Sequence, residues 1–249
     1  MGLGTYFTGI AREAADIPHA VGTYIKGTVP QQFRGVLNAL PHRGGGMASD
    51  GAGRLGNAIN SKGYKWFDDV ANKSYDVNIV GVRNSSTGKK VTNVFDDIIT
   101  ISYKDAKGVW QYHEWMNTTE PGKKGVMQYS NSKGVARLIP GQYRGVWSID
   151  KHQGKYEALC QRNGTVAVFR DNNKDMTFDE TTRDNGMFGI NIHKAGQDST
   201  WVENWSEGCQ VFKRVKDFDE FMKICKLAAK IHGNHFTYTL IESKDIAAV

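Results

Sequence analysis

From residue 75 onward the chain is a succession of short apolar or alternating runs separated by turn-forming residues, and this pattern limits the possible folds more than any other feature. Such runs occupy segments 77–82, 91–101 and 110–115, and the turn-forming segments 84–88 and 104–108 lie between them. Apolar residues that alternate with a period of two are typical of strands with one buried face. Short strands at this spacing predict a sandwich or a barrel-like sheet.

The pattern changes to a helical period near the C-terminus. Residues 217–220, Asp-Phe-Asp-Glu, have the form of a capping box. One helical face then carries the apolar residues Phe218, Phe221, Met222, Cys225 and Ala228. Gly233 is expected to end this helix, and residues 236–241 are expected to form a final strand. Residues 75–249 are therefore predicted to form a β-rich α+β domain.

Residues 1–74 have a different character. Two helix-like pieces, 8–16 and 31–40, are bounded by glycines and prolines, and the glycine-rich segment 43–56 has little apolar surface to bury. This region is predicted to be an irregular N-terminal arm. Two interpretations stay open: a linker-rich extension of the domain, or an anchor that becomes ordered in a larger assembly.

The charge balance favours an anionic partner without identifying it. The chain of 249 residues has a net charge of +6, which suits cell wall, nucleic acid or a membrane surface, or is simply a solvated basic surface. It shows no nucleic-acid-binding motif, so nucleic acid is not the expected partner. Neither a secretory signal nor an apolar stretch of membrane-spanning length is found, so no membrane span is expected.

Three cysteines, Cys160, Cys209 and Cys225, have neither the spacing of a zinc site nor that of a disulfide framework. Cys160 is predicted to lie in a buried strand, and Cys225 on the apolar helix face. Segment 171–175 alternates acidic and amide residues as a calcium loop does. However, Met176 and Thr182 occupy the positions where such a loop needs glycine and glutamate. An Asx-rich hairpin turn is the better interpretation, and neither a metal nor a cofactor is expected.

Cys209 remains as the cysteine with a catalytic context. Segment 187–192 is short and apolar and is predicted to be a buried strand that delivers His193 to its end. Segment 194–203 is polar and is predicted to be a loop, after which residues 210–212 resume as a strand. Pairing of the two strands would bring His193 and Cys209 together. Gly208 would allow a sharp turn, so that the N–H groups of Gly208 and Cys209 face a substrate carbonyl.

These residues resemble the catalytic motif of the L,D-transpeptidase (YkuD-type) domain, in which His-Gly is followed after about a dozen residues by Ser-His-Gly-Cys. In this chain the corresponding segments are Ile192-His193 and Ser206-Glu207-Gly208-Cys209. The order, histidine before cysteine, and the separation of 16 residues also match. Trp-Ser-x-Gly-Cys-Gln blocks like the one at 205–210 are typical of phage-encoded members of the family.

Three positions depart from the family motif. Lys194 stands where the family has the glycine after its first histidine, and Glu207 stands where it has its second histidine. Val211 replaces the Arg or Asn usually found two residues after the cysteine. The nucleophile and the base are retained, whereas groups that the family uses near the oxyanion and the substrate are lost.

The resemblance implies a cysteine enzyme that acts on peptidoglycan stem peptides, as an L,D-carboxypeptidase, endopeptidase or transpeptidase. Cys209 would be the nucleophile, His193 the base and the Lys194 carbonyl the group that orients the imidazole. The expected substrate-binding residues are Tyr143, His152, Arg170, Trp205, Ser206 and Glu207.

A phage setting implies a virion-associated protein that acts at the host cell wall or periplasm, with the N-terminal arm contacting other virion proteins. The alternative is a structural or ejected tail protein that keeps the fold without turnover. The substitution of the family's second histidine by Glu207 is the main support for that alternative.

Overall fold

The computed structural model describes residues 47–68, 74–129, 131–178, 182–196 and 198–247. The strands are β1 (Asn78–Arg83), β2 (Asp97–Lys104), β3 (Trp110–Thr118), β4 (Val135–Leu138), β5 (Gly141–His152), β6 (Tyr156–Gln161), β7 (Val166–Asp171), β8 (Arg183–Gly186), β9 (Ile192–Lys194), β10 (Gln210–Phe212) and β11 (Phe236–Glu242). The helices are α1 (Met47–Ser61), α2 (Lys123–Gln128), α3 (Val215–His232) and α4 (Ser243–Ala247).

Eight of the strands form a closed barrel in the order β1, β11, β5, β6, β9, β10, β3, β2, and β4, β7 and β8 form a separate three-stranded sheet. The prediction of a β-rich α+β fold is therefore confirmed, and the barrel is the architecture formed. Most neighbouring pairs are antiparallel, but β1 pairs with β11 and β9 with β10 in parallel. Among the described residues, no helix combines the length and the apolar character needed to cross a membrane.

The main hydrophobic core joins the barrel to α3. Trp115, Phe212 and Phe221 lie within 6.0 Å of one another by ring centroids, so strands and helix share one aromatic cluster. The predicted apolar face of α3 is buried as expected, and Gly233 ends the helix with its N–H donating to Ala229 O. Cys225 on this face and Cys160 in β6 are fully buried, as predicted.

The hydrogen bond between Tyr238 and Gln210 crosses the inside of the barrel. Tyr238 Oη of β11 donates to Gln210 Oε1 of β10 at 2.8 Å, and these strands lie on opposite sides of the eight-stranded ring. Gly81 is needed beside this bond, because a Cβ there would lie 1.8 Å from Tyr238 Oη. The interior is therefore filled by side chains.

Three local predictions were wrong. Helix α3 begins at Val215, with Arg214 as the N-terminal cap, and Asp217 pairs with Arg214 instead of capping the helix. Segment 187–191 is not a strand, because Gly189 has φ of 72° and interrupts the extended backbone before β9. The strand predicted over 91–101 begins only at Asp97.

Helix α1 differs from the expectation of a glycine-rich arm with little to bury. Leu55 and Ile59 are buried in a second core with Val80 and Tyr112. A Cβ at Gly51 would lie 3.2 Å from the Tyr112 ring, so glycine permits close packing on the barrel here. Part of the 1–74 region thus packs against the barrel. The helix-like pieces predicted at 8–16 and 31–40 lie outside the described residues.

The Asx turn predicted after β7 is formed within residues 171–175. Asp171 Oδ1 accepts the backbone N–H groups of Asn173 (3.1 Å) and Lys174 (2.9 Å). Such Asx bonds stabilise a turn without a cation.

Candidate active site

Parallel pairing of β9 with β10 positions both His193 and Cys209. In the register His193 lies opposite Val211 and Ile192 opposite Gln210. Side chains alternate along a strand, so His193 and its partner Val211 share one face. Cys209, two residues before Val211, lies on the same face. The pairing predicted from the loop length is therefore formed, although His193 lies within its strand and not at its end.

A tight turn holds Cys209. Ser206 Oγ donates to Cys209 O at 2.8 Å and accepts the Gly208 N–H at 3.1 Å. Gly208 has φ of 126°, and a Cβ there would lie 2.6 Å from Ala136 O, so this position requires glycine. The predicted sharp turn is present. However, the Gly208 N–H is bound to Ser206, so the expectation that it faces a substrate carbonyl does not match the structure, and Ser206 supports the turn.

The Cys209 N–H is the remaining donor of the predicted pair. It has no acceptor among the described residues, whereas the Gly208 carbonyl accepts a hydrogen bond from Gln210 Nε2 at 3.2 Å. A backbone N–H with no acceptor beside a nucleophile can bind the oxygen of a substrate carbonyl. Of the two predicted donors, the Cys209 N–H is therefore the one that the turn does not already use.

His193 is held by a backbone carbonyl and by a second histidine. Its Nδ1 lies 2.9 Å from Lys194 O, which also accepts a hydrogen bond from Tyr156 Oη at 3.2 Å. Because a carbonyl only accepts, the proton of the neutral ring is on Nδ1, and Nε2 has the lone pair. The ring stacks on His152 with centroids 4.1 Å apart and planes at 19°.

The Cys209 sulfur has two backbone contacts. The Asn191 N–H donates to Sγ at 3.4 Å, and Sγ lies 3.5 Å from Gly189 O. Cys209 is half-buried, whereas the other two cysteines are fully buried. No hydrogen bond joins Sγ to His193, so the two groups share a strand face and a cavity without an ion pair between thiolate and imidazolium.

Burial keeps both groups neutral. It lowers the pKa of His193 from 6.5 to about 4, and His152 acts in the same direction while the bond to Lys194 opposes it. Burial also raises the pKa of the Cys209 thiol from 9.0 to about 11, against the effect of the Asn191 N–H. At pH 7 the pair is thiol and neutral imidazole, so the thiolate must form together with attack on a substrate.

The buried neutral His193 makes stability fall as the pH falls. Between pH 6.5 and about 4 the unfolded chain protonates His193 while the folded protein does not, so folding loses up to about 3 kcal/mol. The difference in unfolding free energy between wild type and His193→Asn should therefore shrink by about this amount from pH 7 to pH 4 in urea titrations. Buried carboxyls such as Glu114 have a raised pKa, which makes the folded state more stable as the pH falls. This contribution to stability is the same in both proteins and cancels in the difference. If the unfolding free energies of the two proteins changed in parallel with pH, His193 would not be held neutral in the folded protein.

These groups open into a cavity of about 920 Å³ between strands β9 and β10 and the three-stranded sheet. Seven of the predicted site residues line it: His152, Arg170, His193, Lys194, Trp205, Glu207 and Cys209. Ser206 and Gly208 lie in the turn behind it. Tyr143 does not line the cavity, because its ring packs on Trp147 and its hydroxyl donates to Ile139 O at 2.7 Å.

Arg170 is largely occupied within the protein. It is buried, it donates to Gly134 O at 3.0 Å and to Asp184 Oδ2 at 3.2 Å, and its guanidinium lies 4.5 Å from the centroid of the Phe188 ring. Arg170 thus pairs with a carboxylate of the protein itself. Holding a substrate carboxylate would require it to leave Asp184.

Two residues without a predicted role belong to the site. Asn191 contacts both the sulfur and His152, and Tyr156 bonds the carbonyl that holds His193. A sequence signal existed for Asn191, since an amide inside the apolar run 187–192 must find hydrogen-bond partners when buried. Tyr156 comes from β6, and no local pattern connects it to His193.

The fold and the cavity define a β-rich α+β protein with a cysteine and a histidine on one face of a closed barrel. Comparisons of the chain with protein-family models, with curated proteins and with solved structures gave no match.

Proposed function

We propose that this protein is a cysteine-dependent acyl-transfer enzyme with Cys209 as nucleophile and His193 as general base. The observation that supports this most is the bond from His193 Nδ1 to Lys194 O at 2.9 Å, beside a half-buried cysteine on the same strand face. That bond leaves Nε2 as a base, and both groups line one cavity. A base held by a third group beside a nucleophile is the general arrangement for covalent catalysis.

The proposed reaction begins with transfer of the Cys209 proton to His193 Nε2 as the sulfur attacks a peptide carbonyl. A C–S bond forms, and the Cys209 N–H donates to the oxyanion. Collapse of this intermediate breaks the C–N bond, and the leaving amine takes the proton from His193. The resulting thioester is then attacked by water or by an acceptor amine, which His193 deprotonates, and Cys209 is released as the thiol.

The proposed substrate is the peptidoglycan stem peptide, at the bond between an L-centred diamino acid residue and D-alanine. This step rests on the resemblance of 193–209 to the L,D-transpeptidase motif. The cavity is consistent with it, because about 920 Å³ accommodates several peptide residues. We further propose water as acceptor and a virion-associated setting at the host cell wall, with the N-terminal arm contacting other virion proteins.

Purified muropeptides provide the test. Wild-type protein should release D-alanine or cross-linked products, and intact-protein mass spectrometry should show an acyl adduct on Cys209 in quenched samples. Cys209→Ala should give neither, while Cys225→Ala, a change at a buried cysteine away from the cavity, should keep both. Equal products from wild type and Cys209→Ala would reject the cysteine mechanism.

A second candidate is a structural or ejected phage tail protein without turnover. It is favoured by the pKa of Cys209, which burial raises with smaller contributions from Cys160 and Glu207, and by the hydrogen bond from the Gly208 N–H to Ser206. Absence of both products and adduct with wild type, in a correctly folded preparation, would support this candidate over the enzyme.

A further inference from the structure

Asn191 is hydrogen-bonded both to His152 and to the Cys209 sulfur, and His152 in turn stacks on His193. Its side chain is buried. Oδ1 accepts the backbone N–H of Gln161 at 2.9 Å, and Nδ2 lies 3.0 Å from His152 Nδ1. A backbone N–H can only donate, so it identifies Oδ1 as the acceptor, and Nδ2 must then donate to His152. Its own backbone N–H donates to Cys209 Sγ.

This arrangement determines the protonation state of His152. Because Asn191 donates to Nδ1, that nitrogen has a lone pair and the ring proton is on Nε2. Protonation of Nδ1 would place two donors against each other. The charged groups that act on His152 are the cations Lys155 and Arg162, which also disfavour a charged ring, and its other neighbours are the rings of Tyr156 and His193.

The neutral state of His152 affects His193, because the two rings are stacked on each other. Its ring lies 4.1 Å from that of His193, so a charge on His152 would repel the charge that His193 gains when it accepts the Cys209 proton. A neutral ring supplies the contact that orients His193 without this repulsion. The stack also covers one face of the base and reduces its freedom to rotate.

We propose that Asn191 and His152 are positioning residues for His193: Asn191 holds His152 as the neutral Nε2–H tautomer, and the stacked neutral ring holds the base in place. This inference rests on the proposed function of Cys209 and His193. It assigns to His152 a role in orienting the base instead of contacting the substrate.

The test uses the full chain with ¹⁵N-labelled histidine. In wild type at pH 7, His152 should show an unprotonated Nδ1 and a protonated Nε2. In Asn191→Asp, a carboxylate faces Nδ1, so His152 should become protonated on both nitrogens. Acylation of Cys209 by muropeptide should then slow on the order of tenfold with unchanged KM, because the charged neighbour weakens the base. Asn185→Asp, at an exposed position on β8, is the matched control and should alter neither readout.

His152→Ala is a second variant, in case Asn191→Asp folds poorly. Loss of the stacked ring should slow acylation about tenfold and broaden the ¹⁵N signals of His193 as its ring reorients. The inference is overturned if wild-type His152 has its proton on Nδ1, or if both variants acylate at the wild-type rate. A wild type that shows the expected tautomer but forms no thioester overturns the proposed function, and the positioning role with it, while the hydrogen-bond assignment stands.

Discussion

The His193→Asn variant is expected to acylate Cys209 about 10²- to 10⁴-fold more slowly than wild type at pH 7, the range that a general base contributes. The reason is the resting state of the site. With a thiol pKa of about 11, only about one Cys209 in 10⁴ is ionised at pH 7 without help. Asparagine can still donate to Lys194 O, so the variant removes the base at Nε2 and keeps the local bond. Quenched-flow mass spectrometry of the thioester gives the rate.

The control for this variant is His235→Asn, which changes an exposed histidine in the turn between α3 and β11, away from the cavity. It should acylate at the wild-type rate. Alkylation of Cys209 by iodoacetamide without substrate should be slow in wild type and in His193→Asn alike, because the resting thiol is protonated in both. A thioester rate that is unchanged in folded His193→Asn would mean that another group takes the proton.

Local periodicity and loop length were sufficient to predict much of the fold and part of the site. The apolar face of α3, the strands around their turns and the pairing of β9 with β10 all follow from residues close in sequence. The position of Cys209 next to a glycine turn follows in the same way. Each of these features depends on a backbone conformation that a few neighbouring residues determine.

The rest of the site depends on contacts between distant segments. His152 meets His193 only because β5 and β6 turn beside β9 in the closed barrel, and the role of Asn191 depends on Gln161 of β6. The hydrogen bond from the Gly208 N–H to Ser206 Oγ depends on the backbone dihedral angles of the turn at 206–208. Helix α1 was missed because glycine lowers helix propensity, whereas here it allows close packing on Tyr112.

Replacement of Glu120 by alanine is expected to lower the unfolding free energy by about 3–5 kcal/mol, the cost of leaving buried charges without their partner. Glu120 is buried between Arg83, whose Nε lies 3.7 Å away, and Arg137, which donates directly to its carboxylate. Burial lowers the pKa of Arg83 to about 10, Arg137 adds to this effect, and Glu120 opposes it. Without Glu120, two guanidinium groups would face each other with Asp97 as the remaining anion. Urea unfolding midpoints give the difference.

The matched control is an ion pair of similar chemistry at the surface. Arg162 Nε lies 2.7 Å from Asp150 Oδ2, but both side chains are more than 40% exposed, so Asp150→Ala should leave the unfolding midpoint almost unchanged. The Glu120 cluster also supports the turn that holds Cys209, since the nearby Gly122 N–H donates to Ser206 O at 2.9 Å. Glu120→Ala should therefore speed the alkylation of Cys209 in the folded protein by loosening that turn. Equal stability of the two variants would show that the two buried guanidinium groups do not depend on Glu120.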